Sequence, residues 1–172
     1  SVASAQEKNT LHRLTGAALF ALERYSEALP HLESYNGPRG QKDPDDLYQL
    51  GYCYYRAEAF DKAISSFNQL VDQNNLLGQN AYYHLGASYL AVGEKPSALN
   101  AFKKASTLGF SEVIMQESAF NYAQLVYEVG TNYSSVPQVL QDFLTRYPDH
   151  AQANAIVDLL VAALMKEKNY QS

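Results

Sequence analysis

Apolar residues recur along this chain at intervals of three and four, the spacing of one face of a helix. Leu47, Leu50, Gly51 and Tyr54 form one such face, and Ala63, Ile64, Phe67 and Leu70 form the next. Between them Ala57-Glu58-Ala59-Phe60-Asp61 makes a tight connection, with Asp61 as candidate N-cap. The pattern returns as Tyr82, Leu85, Gly86 and Tyr89, then Ala98, Leu99, Phe102 and Ala105. Gly93 suits a left-handed helix end there, and Pro96 suits the first turn of the helix that follows. No segment alternates with the period of two that marks a strand. The periodicity predicts helices over 4–23, 25–35, 44–57, 60–73, 78–92, 95–107, 111–129, 134–146 and 149–168, with 36–44 as the one long polar connection.

The helices come in repeating pairs. Gly16, Gly51 and Gly86 are 35 residues apart, as are Ala28, Ala63 and Ala98. Leu29, Ile64 and Leu99 follow the alanines, and Leu32, Phe67 and Phe102 lie four residues beyond them. Leu19, Tyr54 and Tyr89 lie three residues after the glycines. A fixed period of this length marks stacked supersecondary units. The small residues have a steric reading: two helices meet closely only where no side chain holds their backbones apart. A fourth copy is degenerate, with Ala119, Tyr122, Ala123, Val126 and Gly130, then Val136, Leu140, Phe143 and Tyr147-Pro148. Its small residue Ala123 comes 37 positions after Gly86, and Asn132-Tyr133-Ser134-Ser135 lengthens its turn.

This pattern resembles the tetratricopeptide repeat (TPR) family. The resemblance rests on Leu47-x-x-Leu50-Gly51-x-x-Tyr54 with Ala63-x-x-x-Phe67, and on Tyr82-x-x-Leu85-Gly86-x-x-Tyr89 with Ala98-x-x-x-Phe102-x-x-Ala105. Thr15 and Lys95 depart from it, and a helix-ending proline is clear only at Pro148. The resemblance implies an all-α fold: a right-handed superhelical α-solenoid of antiparallel helix pairs, with repeats at about 5–36, 44–75, 78–108 and 111–147 and a terminal helix at 149–168. The Phe143 to His150 junction is similar to that of bacterial cell-envelope members, which implies a periplasmic or envelope setting.

The terminal helix carries two apolar stripes. Val157, Leu160, Val161 and Leu164 form one, and Ile156, Leu159 and Ala163 the other. A helix closing a solenoid shows water a polar face, so this one is expected to pair further. The expectation is a fifth repeat whose second half lies in a longer parent protein, with self-association of this piece as a consequence. The chain also lacks an initiator Met, in keeping with a processed or excised piece.

Tyr48, Tyr52, Tyr54 and Tyr55 crowd two helical turns. Tyr48, Tyr54 and Tyr55 match common TPR residues that build the repeat, so mortar between helices is their first reading. Tyr52 and Arg56 face away from the Leu47, Leu50 and Tyr54 stripe. In TPR arrays that face of the first helices lines a concave groove. The resemblance places there Arg13, Ala17 and Phe20; Tyr48, Tyr52, Tyr55 and Arg56; Tyr83, Ala87 and Leu90; and Phe120, Gln124 and Tyr127. Such an aromatic floor with Arg donors suits a peptide or protein partner; the plain alternative is a solvated face with scattered aromatics. Members that clamp a C-terminal carboxylate use Lys and Asn on successive first helices. Here Arg13 with Ala17 and Tyr48 with Tyr52 stand at those places, so the clamp is absent.

Composition narrows the function further. A hydrophobic content of 47% supports a packed core, and a net charge of −5 removes the basic stripe that a nucleic-acid surface needs. Cys53 is the single cysteine, so neither an internal disulfide nor a cysteine zinc site can form. The polar opening SVASAQEKNT has no signal-peptide pattern, and the longest apolar stretch, within Ile156 to Met165 and bounded by Asp158 and Lys166, is too short for a membrane span. His12, His31, His84 and His150 show no metal-ligand spacing, and His84 reads first as a surface histidine, with reach into the groove as the alternative. Asp43-Pro44-Asp45-Asp46 lacks the glycine and distal Glu of a calcium loop and reads as helix-capping acids. No phosphate loop, nucleophile elbow, H-E-x-x-H or Cys–His arrangement is present, and no cofactor is expected. The sequence therefore points to a non-catalytic interaction scaffold, with a structural spacer in a longer repeat protein as the alternative and a noncatalytic part of an enzyme as the third reading.

Overall fold

The computed structural model describes residues 4–130 and 134–170. Its described residues form α1 (Ala5–Ala21), α2 (Tyr25–Ser34), α3 (Pro44–Arg56), α4 (Phe60–Phe67), α5 (Leu76–Ala91), α6 (Lys95–Ala105), α7 (Glu112–Val129), α8 (Val136–Arg146) and α9 (Ala153–Tyr170). The Ser1–Ala3 end of the polar opening, and Asn132 and Tyr133 of the lengthened turn, lie outside the described residues.

Helices pack as α1 with α2, α3 with α4, α5 with α6 and α7 with α8, and each pair meets the next through its second helix. First helices also touch one another, α1 with α3, α3 with α5, α5 with α7 and α7 with α9. Second helices show no such mutual contact among the described residues. A stack whose first helices converge while its second helices diverge is curved, with the first helices inside. Among the described residues no helix touches one more than two places away in the chain, the one-dimensional packing of an α-solenoid.

The repeated small residues sit at the seams. A Cβ on Gly16 would lie 2.8 Å from Leu32 Cδ2, on Gly51 2.9 Å from Phe67 Cε1, and on Gly86 3.0 Å from Phe102 ring carbons. Ala28, Ala63 and Ala98 are all fully buried. Tyr54 ties one pair to the next: its hydroxyl donates to Glu33 Oε1 at 2.8 Å, and burial with that contact pushes its pKa up to about 12.

Several local expectations change. Ala59, not Asp61, is the N-cap of α4, because Phe60 already begins the helix. α4 ends at Phe67 and runs on as a 3-10 turn over Asn68–Leu70, while α9 begins only at Ala153, after turns at Pro148-Asp149 and Ala151-Gln152. Asp43 holds the N-cap position of α3 without a side-chain capping bond. The polar connection contains a 3-10 turn, Pro38–Gly40, and is tied down at its start by Asn9, whose side chain both donates to and accepts from the Asn36 backbone. Buried Gln79 stitches α6 to α7: its Nε2 donates to the Ala105 carbonyl at 3.0 Å, and its Oε1 accepts from the Ser111 N–H at 2.7 Å.

The turn within each of the first three pairs passes through the left-handed region at one repeat position: Glu23 and Glu58 at φ 58°, and Gly93 at φ 83°. Glutamate is strained there and glycine is not. Glu58→Gly is expected to raise unfolding stability by about 1 kcal/mol, read by urea denaturation. Unchanged or lowered stability would count against the strain.

Candidate partner-binding groove

The inner side of α1, α3 and α5 carries a connected band of rings. Tyr52 on α3 is its hub, with ring centroids 5.7 Å from Phe20 on α1, 5.1 Å from Tyr25 on α2, 6.2 Å from Tyr48, 6.1 Å from Tyr55 and 5.0 Å from His84 on α5. Tyr52 therefore belongs to the mortar as much as Tyr48 and Tyr55 do, and it is half-buried. Arg56 at the rim of the band lies with its guanidinium carbon 4.9 Å from the Tyr25 centroid.

His84 is the chief departure from the sequence reading. It is no surface residue: Tyr48, Tyr55 and Tyr83 meet it edge-on, and Phe67 stacks on it at 5.7 Å. Nδ1 lies 2.9 Å from the Asn80 carbonyl, which can only accept, so the ring proton sits on Nδ1. Burial among these rings pushes the His84 pKa down to about 4, with the Asn80 contact opposing weakly. The imidazole is thus neutral near pH 7. The same burial holds the Tyr48 phenol well above its ordinary range.

Arg13 is placed otherwise than as a groove donor. Its Nε donates to both Asp46 oxygens, at 3.1 and 2.9 Å, and Nη2 donates to Asp43 at 2.9 Å. Asp46 is only 3% exposed, and that burial raises its pKa against the pull of Arg13. These acids brace α3 against α1 while standing at its N-terminal end, Asp43 at the N-cap and Asp46 in the first turn. Tyr83 reaches Phe102 at 5.8 Å, closing the band onto α6. Phe120 on α7 stacks on His150 at 5.3 Å and tilts against Phe143 at 6.1 Å. Gln124 is half-buried, and Tyr127 and Leu90 are each 37% exposed.

The structure thus joins Phe20, Tyr48, Tyr52, Tyr55 and Tyr83 into one surface, sets Arg56 at its rim and diverts Arg13 into an ion pair. Sequence reasoning missed Tyr25 and gave the groove only as the second reading of His84. Tyr25 sits at the repeat position of Phe60, itself 5.9 Å from Tyr55, so its column held a signal. His84 shares its column with Leu14, Gln49 and Asn121, none of which carries a ring.

The remaining chemistry-bearing groups are structural. His12 and His31 face each other Nδ1 to Nδ1 at 3.1 Å, with ring centroids 5.3 Å apart. At that distance one ring nitrogen can donate to the other, which pins α1 to α2. Among the described residues no three His, Cys, Asp or Glu side chains converge as a metal site. Burial pushes the Cys53 thiol up to about 12, so it is a poor nucleophile. None of the described helices is long and apolar enough to cross a membrane.

The comparisons agree with this geometry. The family model for anaphase-promoting complex, cyclosome, subunit 3 matches residues 38–105, the segment with the clearest glycine and alanine columns. MamA from Desulfovibrio magneticus RS-1 superposes with a TM-score of 0.59 at 17% identity, over 96% of this chain and 98% of that one. The fold is a TPR-like α-solenoid. MamA MSR-1 C2 gives a TM-score of 0.61 at 15% identity over 94% of this array and 98% of its own chain. A Rap protein complexed with competence and sporulation factor gives 0.58 at 14% identity, over 99% of the array and 52% of the Rap chain. By sequence the array is similar to intraflagellar transport protein 70A2 of Mus musculus and of Rattus norvegicus, 31% identical over 101 residues in each case. It spans 59% of itself in those matches and only 15% of the relatives' length. TPR-type repeats generally mediate protein–protein interaction, and TPR-like scaffolds are generally non-enzymatic.

Proposed function

We propose that this array is a non-catalytic scaffold that holds a peptide or protein segment along the inner side of its first helices. The observation that carries the reading is the ring band from Phe20 through Tyr52 to Tyr83. Its centre carries phenols and a neutral imidazole, its rim carries Arg56, and both are held by neighbours before any partner arrives. A pre-ordered amphipathic surface loses little entropy on binding. Phe120, Gln124 and Tyr127 extend it along α7. The occupant that fits has apolar or aromatic anchors with backbone groups free to meet the hydroxyls. The matching family model describes a subunit of a complex, which favours an assembly partner over a small molecule. The envelope setting expected from the Phe143 to His150 junction rests on that junction alone, since the sequence relatives are mammalian. Self-association through α9 is a companion reading, carried by its uncovered stripe.

The test is selection of displayed peptides on the 172-residue chain. Tyr52→Ala would empty the hub and disturb the fold, so the variant of choice is Arg56→Glu with Gln124→Ala. Selected peptides are expected to bind that variant at least about tenfold more weakly, with the helical spectrum unchanged. Peptides that bind both alike, or no selection above background, would leave the structural spacer as the better account.

A further inference from the structure

On the outer side of the stack, consecutive second helices stand apart. At the first two junctions a polar side chain, one place after the seam residue, reaches across to the next first helix. Glu33 accepts from the Tyr54 hydroxyl at 2.8 Å, and Asn68 donates to the Tyr89 hydroxyl at 3.3 Å. At the third junction the same two columns hold Lys103 and Val126. Valine carries no hydroxyl, so that bond cannot form. Here a cavity of about 220 Å³ lies between α6, α7 and α8. Its floor is apolar, with Ala119, Val139 and Phe143, and its charged groups are Lys103, Asp142 and Arg146.

Tyr147, which also lines the cavity, decides what it takes. It is 6% exposed, yet its hydroxyl has no hydrogen-bond partner among the described residues. A buried hydroxyl left in that state is unfavourable. The Arg146 guanidinium carbon stands 5.4 Å from the Tyr147 ring centroid. Burial raises the Tyr147 pKa while the Arg146 charge opposes it, so guanidinium and phenol share one corner. Lys103, with its ammonium 5.9 Å from the Tyr122 centroid, lines the cavity from α6. Such donors call for an acceptor that carries negative charge. Asp142, which accepts from Gln138 at 2.7 Å, offsets one of the two cations. A monoanion fits that balance, and a phosphate dianion does not. The 220 Å³ space falls short of the roughly 300 Å³ at which drug-sized sites begin, so the anion is small.

We propose that this cavity binds a carboxylate on a short apolar stem, held by the Arg146 guanidinium and the Tyr147 hydroxyl, with the stem on Ala119 and Val139. The site is independent of the inner groove. A free small acid and an acidic side chain of a bound protein share this chemistry. Saturation-transfer NMR on the 172-residue chain tests it. The probes are benzoate, its uncharged counterpart benzamide, and a Gly-Glu-Gly peptide blocked at both ends. Benzoate or the peptide should bind, and benzamide should bind at least about tenfold more weakly. Arg146→Gln and Tyr147→Phe should each weaken the carboxylate at least about tenfold. Arg146 is exposed and phenylalanine keeps the Tyr147 ring, so circular dichroism should stay unchanged. Without ligand, Tyr147→Phe should melt no lower than the wild type, because no bond is lost. Tighter binding of benzoate supports the site and assigns it to a free acid; tighter binding of the peptide supports it and assigns it to a partner's side chain. Four results overturn it: no binding of either carboxylate, benzamide binding as well as benzoate, binding indifferent to both substitutions, or a lower melting temperature in Tyr147→Phe.

Discussion

Acidification from pH 7 to pH 5 will cost the fold about 2 kcal/mol through His84 alone. The sign follows from proton binding. In the unfolded chain His84 titrates near its ordinary 6.5, while in the folded chain burial holds it near 4. Between those values the unfolded state takes up a proton that the folded state refuses, so stability falls as pH falls through that window. Above 6.5 neither state is charged and the term vanishes; below 4 both are charged and the loss is complete. Urea denaturation of the wild-type chain and of His84→Phe at both pH values isolates the effect. Phenylalanine fills the space among Tyr48, Tyr52, Tyr55 and Phe67, and the Asn80 carbonyl it releases remains within its helix. The variant should lose about 2 kcal/mol less on acidification than the wild type. Equal losses would mean that the ring reaches solvent and charges freely, and that the neutral centre of the groove is wrong.

The groove's chemistry thus depends on a residue that the sequence disguised, and the reason is physical. Helix pairing was legible because it leaves a periodic trace: a glycine must recur wherever a large side chain from the facing helix must enter, and it does so every 35 residues. The Ile156 and Ala163 stripe of α9 was legible for the same reason, since it is one face of a helix packed into the core. His84 left only a faint trace, because its neighbours Tyr48 and Phe67 come from another pair and its column, Leu14, Gln49 and Asn121, carries no other ring. The pairing of Arg13 with Asp46 was not foreseen. Both are ordinary surface residue types, and only the tertiary fold brings positions 33 apart into one ion pair. The left-handed turns at Glu23 and Glu58 were readable in principle, since Gly93 marks the same position in the third copy. What the sequence could not carry is whether a ring offers its face to solvent or to its neighbour. Tyr52 was set apart as a groove residue, and the structure makes it the hub of the packing.

Gly86→Leu will destabilise the array by about 1–3 kcal/mol, because the space its side chain needs is already held by Phe102. A Cβ at Gly86 would lie 3.0 Å from three ring carbons of Phe102, which is 2% exposed and has no room to swing aside. The helix itself would gain about 1 kcal/mol from losing a glycine, so a net loss means that overpacking outweighs backbone propensity. Gly109 is the control: nothing lies within 4 Å of its Cβ position, and Gly109→Ala should be close to neutral. Phe102→Ala alone should cost about 3–5 kcal/mol as a cavity. In the Gly86→Leu chain the same truncation removes the clash and the new leucine enters the hole, so the two changes together should cost less than their sum by at least about 1 kcal/mol. Urea unfolding of the four chains gives that coupling directly. Simple additivity would mean that α5 and α6 do not meet at this point.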